Sequence, residues 1–204
     1  MVQGGRRAST TPRTKGVRAR YRVPVTTLRT AHTADLTGSE LAAARALLDD
    51  AFDGDFSDAD WAHSLGGVHA LVHDDSGALL AHGSVAQRHA VHDGRTLRVG
   101  YVEAVAVRAD ARRTGLGGRV MDALERVIVG AYDIGALAAS SDGERLYLGR
   151  GWTRWSGPFA AYGPTGTVRL PDDEGPPFLF PAPAAHALDP ARDLLLDWRD
   201  GDLL

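Results

Sequence analysis

Apolar and polar positions change period several times along this chain, and each change marks an element. A short strand is expected at 25–31, near the start of the folded part. Thr37 and Glu40 stand three residues apart, the spacing of a capping box. They introduce a helix over 39–51 with Leu41, Leu47, Leu48 and Phe52 along one side. Ser57 and Asp60 repeat that spacing before a short helix containing Trp61. Three extended runs follow at 67–74, 78–92 and 95–108. They are joined by Asp74-Asp75-Ser76-Gly77 and Asp93-Gly94, turn sequences that connect antiparallel strands. Helical spacing returns over 115–132, where Leu116, Val120, Met121, Leu124, Val127, Ile128 and Ala131 form one stripe. A strand at 135–140, a helix at 142–149 and a strand at 152–163 come next. A Pro/Asp/Gly-rich turn region and a short strand around 177–180 lead to a C-terminal segment ending Asp197-Trp198-Arg199-Asp200-Gly201-Asp202-Leu203-Leu204.

A meander of strands followed by β–α–β–α–β predicts an α/β (α+β) fold with a mixed, mostly antiparallel central sheet flanked by helices. The glycine cluster at 115–118 is not G-x-G-x-x-G. Lys15 is the only lysine, so no Gly-Lys-Ser/Thr exists, and a doubly wound dinucleotide domain and a P-loop domain are both excluded.

The densest chemistry lies in Val99 to Ala123. An apolar strand carries one acid, Glu103, and runs into the turn Arg112-Arg113-Thr114-Gly115-Leu116-Gly117-Gly118 ahead of an amphipathic helix. Unpaired N–H groups at such a helix start are suited to a phosphorylated ligand, and arginines beside them add charge-assisted bonds. Two-residue alternation would set Val99, Tyr101, Glu103, Val105 and Val107 on one face. A carboxylate in that company is desolvated, which raises its pKa toward the range of a general base. Pairing with an arginine is the structural alternative. Tyr147, in a short helix with a glycine stop, is a candidate proton donor or a packing residue.

Charge sharpens the picture. Residues 1–29 hold eight basic residues and no acid, whereas 30–204 hold 15 basic against 26 acidic residues. Residues 1–25 are expected to be a basic, disordered tail and 26–204 the folded domain. The acidic body should attract a cationic substrate and repel nucleic acid. Asp55, Asp60, Asp172, Asp173, Asp200 and Asp202 fall in loops or helix starts, where several would have to converge to bind such a ligand. Asp60 and the Asp172-Asp173 pair have ordinary capping and turn roles as alternatives. The chain has no cysteine, which excludes disulfides and thiolate catalysis, and its eight histidines lack metal-ligand spacing, so no metal site is expected. With no apolar run near membrane-spanning length and no secretory leader, a soluble cytoplasmic protein is expected.

With these residues in place, the chain resembles the GCN5-related N-acetyltransferase (GNAT) superfamily through Arg112-Arg113-Thr114-Gly115-Leu116-Gly117, which matches R/Q-x-x-G-x-G/A after a central strand. It is more closely similar to the aminoglycoside 2′-N-acetyltransferases. That likeness is carried by Ala51-Phe52-Asp53-Gly54-Asp55-Phe56, Asp60-Trp61, Leu65 to Leu71, Gly100-Tyr101-Val102-Glu103, Arg145-Leu146-Tyr147, Arg150-Gly151-Trp152, Pro164-Thr165-Gly166, Pro171-Asp172-Asp173 and Asp197-Trp198-Arg199, over about 28–204. The resemblance implies acetyl transfer from acetyl-CoA to the 2′-amine of an aminoglycoside in a ternary complex, in a homodimeric enzyme. It implies that Glu103 is the general base and that Tyr147 is the acid for the departing thiolate. It places Val105 and Val107 on the pantetheine arm and Arg112, Arg113, Thr114, Gly115, Leu116, Gly117 and Gly118 on the pyrophosphate. Asp55, Asp60, Asp173 and Asp202 are implied as antibiotic ligands. The chain departs from the family at Leu204, where an aromatic residue is usual, at Ala104, and at Ala138, where a serine is usual and Ser140 is the nearest replacement. Acetylation of another cationic amine (polyamine, amino sugar or peptide N-terminus), and a non-catalytic acyl-CoA-binding module, are the competing expectations.

Overall fold

Three consecutive strands, β2 (Val68–His73), β3 (Leu79–His92) and β4 (Arg95–Val107), form the antiparallel centre of the sheet, as their turn sequences require. The computed structural model describes residues 26–141, 143–169, 176–182 and 188–204. β1 (Thr27–His32) adds antiparallel to β2. β3 is long enough to use one edge twice: its first half pairs with β2, and Ala90 to His92 pair with β10 (Leu194–Asp197). The other strands are β5 (Ile134–Leu137), β6 (Thr153–Arg154), β7 (Phe159–Gly163), β8 (Gly166–Arg169) and β9 (Phe178–Pro181). The sheet order is β6-β9-β5-β4-β3-β10-β7-β8, with β4–β5 and β7–β10 parallel and the other pairs antiparallel. The mixed, mostly antiparallel sheet expected from the pattern is therefore the observed one.

Both capping boxes form. Thr37 accepts from the Glu40 amide at the start of α1 (Gly38–Ala51), and Ser57 does the same for Asp60 in α2 (Asp58–Ser64), each acid returning a bond to its cap. The stripe of α3 (Leu116–Ala131) lies over the sheet with Val120, Met121, Leu124 and Ile128 fully buried, each worth about 1.5–3 kcal/mol by burial. α4 (Glu144–Leu148) follows β5. Among the described residues no helix is long and apolar enough to cross a membrane.

Two expectations are corrected. The run 152–163 is two strands in different parts of the sheet, because the chain breaks at Trp155–Pro158: Trp155 N donates to Pro177 O at 2.8 Å, and Pro158 has no amide to continue a ladder. The second correction concerns the face that β4 presents. Ser84 pairs with Glu103 but His82 pairs with Ala106, so β4 carries one extra residue, a β-bulge, and Ala104 sits at φ 53° in the left-handed region. Val99 and Tyr101 pack in one cluster, while Val105 and Val107 join Val102 beneath α3. The five residues expected on one face are split between two.

Candidate active site

The ladder between β4 and β5 stops at Tyr101↔Ala136, while β4 stays paired with β3 as far as Val107↔Ala81. Beyond Tyr101 the β5-side edge of β4 is therefore open, and its main-chain polar groups face a widening gap. A cleft of about 410 Å³ lies beside this edge, lined by Val105, Val107, Arg112, Gly117, Ser140 and Tyr147 together with Phe52 and Leu146. Six of the expected site residues thus share one wall system.

At the mouth of the cleft, α3 begins without a side-chain cap, on Gly115 at φ 89°. That backbone geometry favours glycine, since a Cβ would crowd the carbonyl. The first helical bond is Arg119 N to Gly115 O at 3.1 Å, so the amides of Leu116, Gly117 and Gly118 precede it. The Leu116 side chain is buried in the core, which leaves only its main chain for a ligand. Arg112 folds its Nε onto Val107 O at 3.2 Å, and the Thr114 hydroxyl donates to Ala111 O at 2.6 Å, so the turn is held to the end of the strand. Arg113 is exposed, at φ 61°.

Tyr147 reaches the cleft from α4. Its ring is buried against Trp152 and Phe178, with centroids at 6.1 and 6.3 Å, and burial pushes the phenol up to about 12, so it holds its proton at neutral pH. The helix is tied to α3 by Arg150. Its guanidinium donates to Glu125 at 2.7 and 2.6 Å and to Asp122 at 2.5 Å, while Trp152 Nε1 donates to the same Glu125 at 2.8 Å. Ser140 is exposed at the entry to α4, where its carbonyl accepts the Gly143 and Glu144 amides.

Glu103 lies across the bulge, on the face of Tyr101. Its carboxylate accepts from Arg199 Nη1, both side chains being 13% exposed. Desolvation raises the Glu103 pKa, opposed by Arg199 and, more weakly, by Arg88; Asp60 adds to the rise. Arg199 also donates to Asp202 O at 2.7 Å and stacks 5.1 Å from the Tyr101 ring centre. Arg88, 5% exposed, stacks on the same ring at 4.8 Å and donates to Asp197 and to Leu203 O. The C-terminal segment is thereby fastened beside Glu103. Its turn at Gly201 (φ 82°) passes so close to α2 that a Cβ would stand 2.8 Å from Ala59 Cβ, and His63 Nε2 donates to Asp200 O at 2.8 Å.

This arrangement gathers Glu103, Asp60 and the main chain of Asp202. Asp55 is exposed in the turn ahead of α2, its amide bonded to Phe52 O at 2.9 Å; Asp173 lies outside the described residues. Asp197-Trp198-Arg199 marks a family likeness in the sequence, but no role for Arg199, Arg88 or Gly201 follows from it. The apolar run Leu194-Leu195-Leu196 before Asp197-Trp198-Arg199 was the signal that a buried strand delivers this end of the chain to the sheet.

Residues 32–154 match the family described as the acetyltransferase (GNAT) domain. Over 179 residues the chain is 48% identical to an aminoglycoside 2′-N-acetyltransferase of Mycolicibacterium fortuitum, a match that spans 87% of this chain and 91% of that protein. A GNAT family N-acetyltransferase (YhbS) from Escherichia coli, solved in complex with CoA, is similar in fold at TM-score 0.61 and 16% identity, covering 88% of this chain and 92% of that one. An acyl-CoA N-acyltransferase from Pseudomonas aeruginosa gives TM-score 0.55 at 18% identity, covering 76% and 99%. The chain belongs to the aminoglycoside 2′-N-acetyltransferase family, within the GNAT acetyltransferases.

Proposed function

We propose that this protein transfers the acetyl group of acetyl-CoA to the 2′-amine of aminoglycosides, by direct attack with both substrates bound. The observation that carries this reading is the open edge of β4 from Glu103 to Val107, set between the uncapped start of α3 and the buried phenol of Tyr147. The curated relative's substrate class and the CoA-bound state of the YhbS structure support it from outside the chain.

The residues present fit acetyl-CoA. The amides of 115–118, with Arg112 and Arg113, would receive the diphosphate through a helix start and charge-assisted bonds. The main chain of Val105 and Val107 would bond the pantetheine arm as an added strand would. Bound there, acetyl-CoA supplies an acetyl group activated as a thioester. Asp55, Asp60, Asp173 and Asp202, with Ser140, would hold the ammonium and hydroxyl groups of the antibiotic.

Glu103 takes a proton from the 2′-ammonium, through one water, so that the nitrogen lone pair is free to attack. As the new C–N bond forms and the C–S bond breaks, Tyr147 gives its proton to the sulfur. Strand N–H groups polarise the carbonyl as charge develops on its oxygen. Holding both reactants in line supplies much of the acceleration. Thiol release from acetyl-CoA, followed with paired aminoglycosides bearing either an amine or a hydroxyl at the 2′ position, tests the reading. Turnover confined to the amines is expected. Equal turnover of both sets, or turnover with peptide or polyamine acceptors alone, would overturn it.

A further inference from the structure

Two histidines that the chemistry above leaves idle are fully buried on adjacent strands, His69 on β2 and His82 on β3. Nδ1 of His69 lies 2.9 Å from Nε2 of His82. The contacts continue at both ends. His82 Nδ1 is 3.0 Å from Ala104 O, and His69 Nε2 is 2.8 Å from Thr33 Oγ1, which accepts the Gly66 amide at 2.9 Å.

These contacts fix the protons. A carbonyl oxygen only accepts, so His82 Nδ1 carries hydrogen and, in a neutral ring, Nε2 is the acceptor. His69 Nδ1 therefore donates to it, and His69 Nε2 is left as the acceptor facing the Thr33 hydroxyl, whose single hydrogen also has Gly67 O within reach at 3.2 Å. Burial pushes both imidazoles down to about 4, so both rings are neutral at physiological pH. From His69 onward every bond runs in one direction, toward Ala104. A carbonyl cannot pass a proton onward, so this chain is a strut and not a proton wire.

What the strut holds is the extra residue of the β4 bulge. Ala104 is at φ 53°, a conformation that a residue with a Cβ keeps only where its surroundings fix it. It stands directly between Glu103 and Val105, and the bulge is what turns these two residues toward different faces. We propose that His82, oriented by His69 and Thr33, is a positioning residue for acetyl transfer, holding the Ala104 carbonyl so that Glu103 faces the acceptor amine while the following main chain faces the acyl donor. The roles of Glu103 and Val105 in this statement rest on the proposed function.

The test compares His82→Leu, which removes the donor, with His82→Asn, whose amide nitrogen sits near the place of Nδ1 and keeps one. His82→Leu is expected to lower kcat about tenfold or more, with acceptor KM and CoA affinity within threefold of the parent. His82→Asn is expected to recover kcat to within about threefold. The ¹³C resonance of the Ala104 carbonyl reads the same bond without turnover: it should move in His82→Leu and stay in His82→Asn. An unmoved carbonyl in His82→Leu would overturn the strut, and a moved carbonyl with unchanged kcat would overturn its part in catalysis. So would equal losses in both variants that track thermal stability. If His82→Leu does not fold, Thr33→Val loosens the far end of the chain, with an expected fall in kcat of about threefold and the same carbonyl displacement; no change in either would contradict the proposal. Should the parent acetylate no aminoglycoside, the proposed function fails, while the carbonyl resonance still decides whether His82 holds the bulge.

Discussion

Arg199 donates to the carboxylate of Glu103 across 96 residues of sequence, and both side chains are largely withdrawn from solvent. The pair places a guanidinium where the proposed mechanism needs an ammonium to arrive. It also sets the proton affinity of the base, because Arg199 opposes the rise that burial imposes on Glu103.

Replacing Arg199 by glutamine removes that opposition. The Glu103 pKa then climbs further above its ordinary value, and a base must be deprotonated to act. The acidic limb of the kcat/KM profile should therefore move to higher pH in Arg199→Gln. Glu103→Gln should abolish the limb and lower kcat by about 10²–10⁴-fold with CoA affinity unchanged. A profile that does not move in Arg199→Gln would separate Arg199 from the chemistry.

Gly201 gives a second prediction. A Cβ at φ 82° is strained in itself and would press on Ala59 at 2.8 Å, lifting the C-terminal turn from α2. Gly201→Ala should raise the aminoglycoside KM severalfold and leave acetyl-CoA binding intact, because the turn adjoins Glu103 and Asp60 and not the start of α3. Titration calorimetry with each substrate separately reads the two effects.

Glu125 accepts from both Arg150 and the buried Trp152 indole. Glu125→Ala would leave the indole N–H and the guanidinium without their shared acceptor, at a cost of roughly 2–3 kcal/mol. A fall in the denaturant midpoint, together with weaker acetyl-CoA binding as α4 and Tyr147 shift, is the expected result.

What could be read from the sequence was mostly local. Both capping boxes, the α3 stripe and the β2–β4 meander depend on residues a few positions apart, and all are present. The bulge at Ala104 was hidden because Val99 to Val107 is apolar in both phases of the alternation but for Glu103, and a single acid cannot mark a change of face. The parallel pairing of β10 with β7 joins residues about 35 apart, and no turn sequence announces it. Arg112 and Gly117 of the cleft were legible in the glycine turn, Tyr147 in its short helix, and Val105, Val107 and Ser140 through the family resemblance, whereas the ion pair at Glu103 needed a partner from the far end of the chain.

Residues 1–25 precede Thr26, whose hydroxyl and carbonyl accept from Arg119 of α3. A variant beginning at Thr26 should match the full chain in kcat and KM for acetyl transfer. A loss of more than a few-fold would assign the basic segment a part in the reaction.

Which nitrogen receives the acetyl group distinguishes this enzyme's proposed reaction from every alternative acceptor chemistry. Two-dimensional NMR of the product made from an aminoglycoside with several free amines decides it. A single acetamide is expected, on the 2′ nitrogen, with the 2′ proton displaced and the other amine-bearing positions unchanged. Acetylation at any other nitrogen, or a mixture without preference, would contradict it.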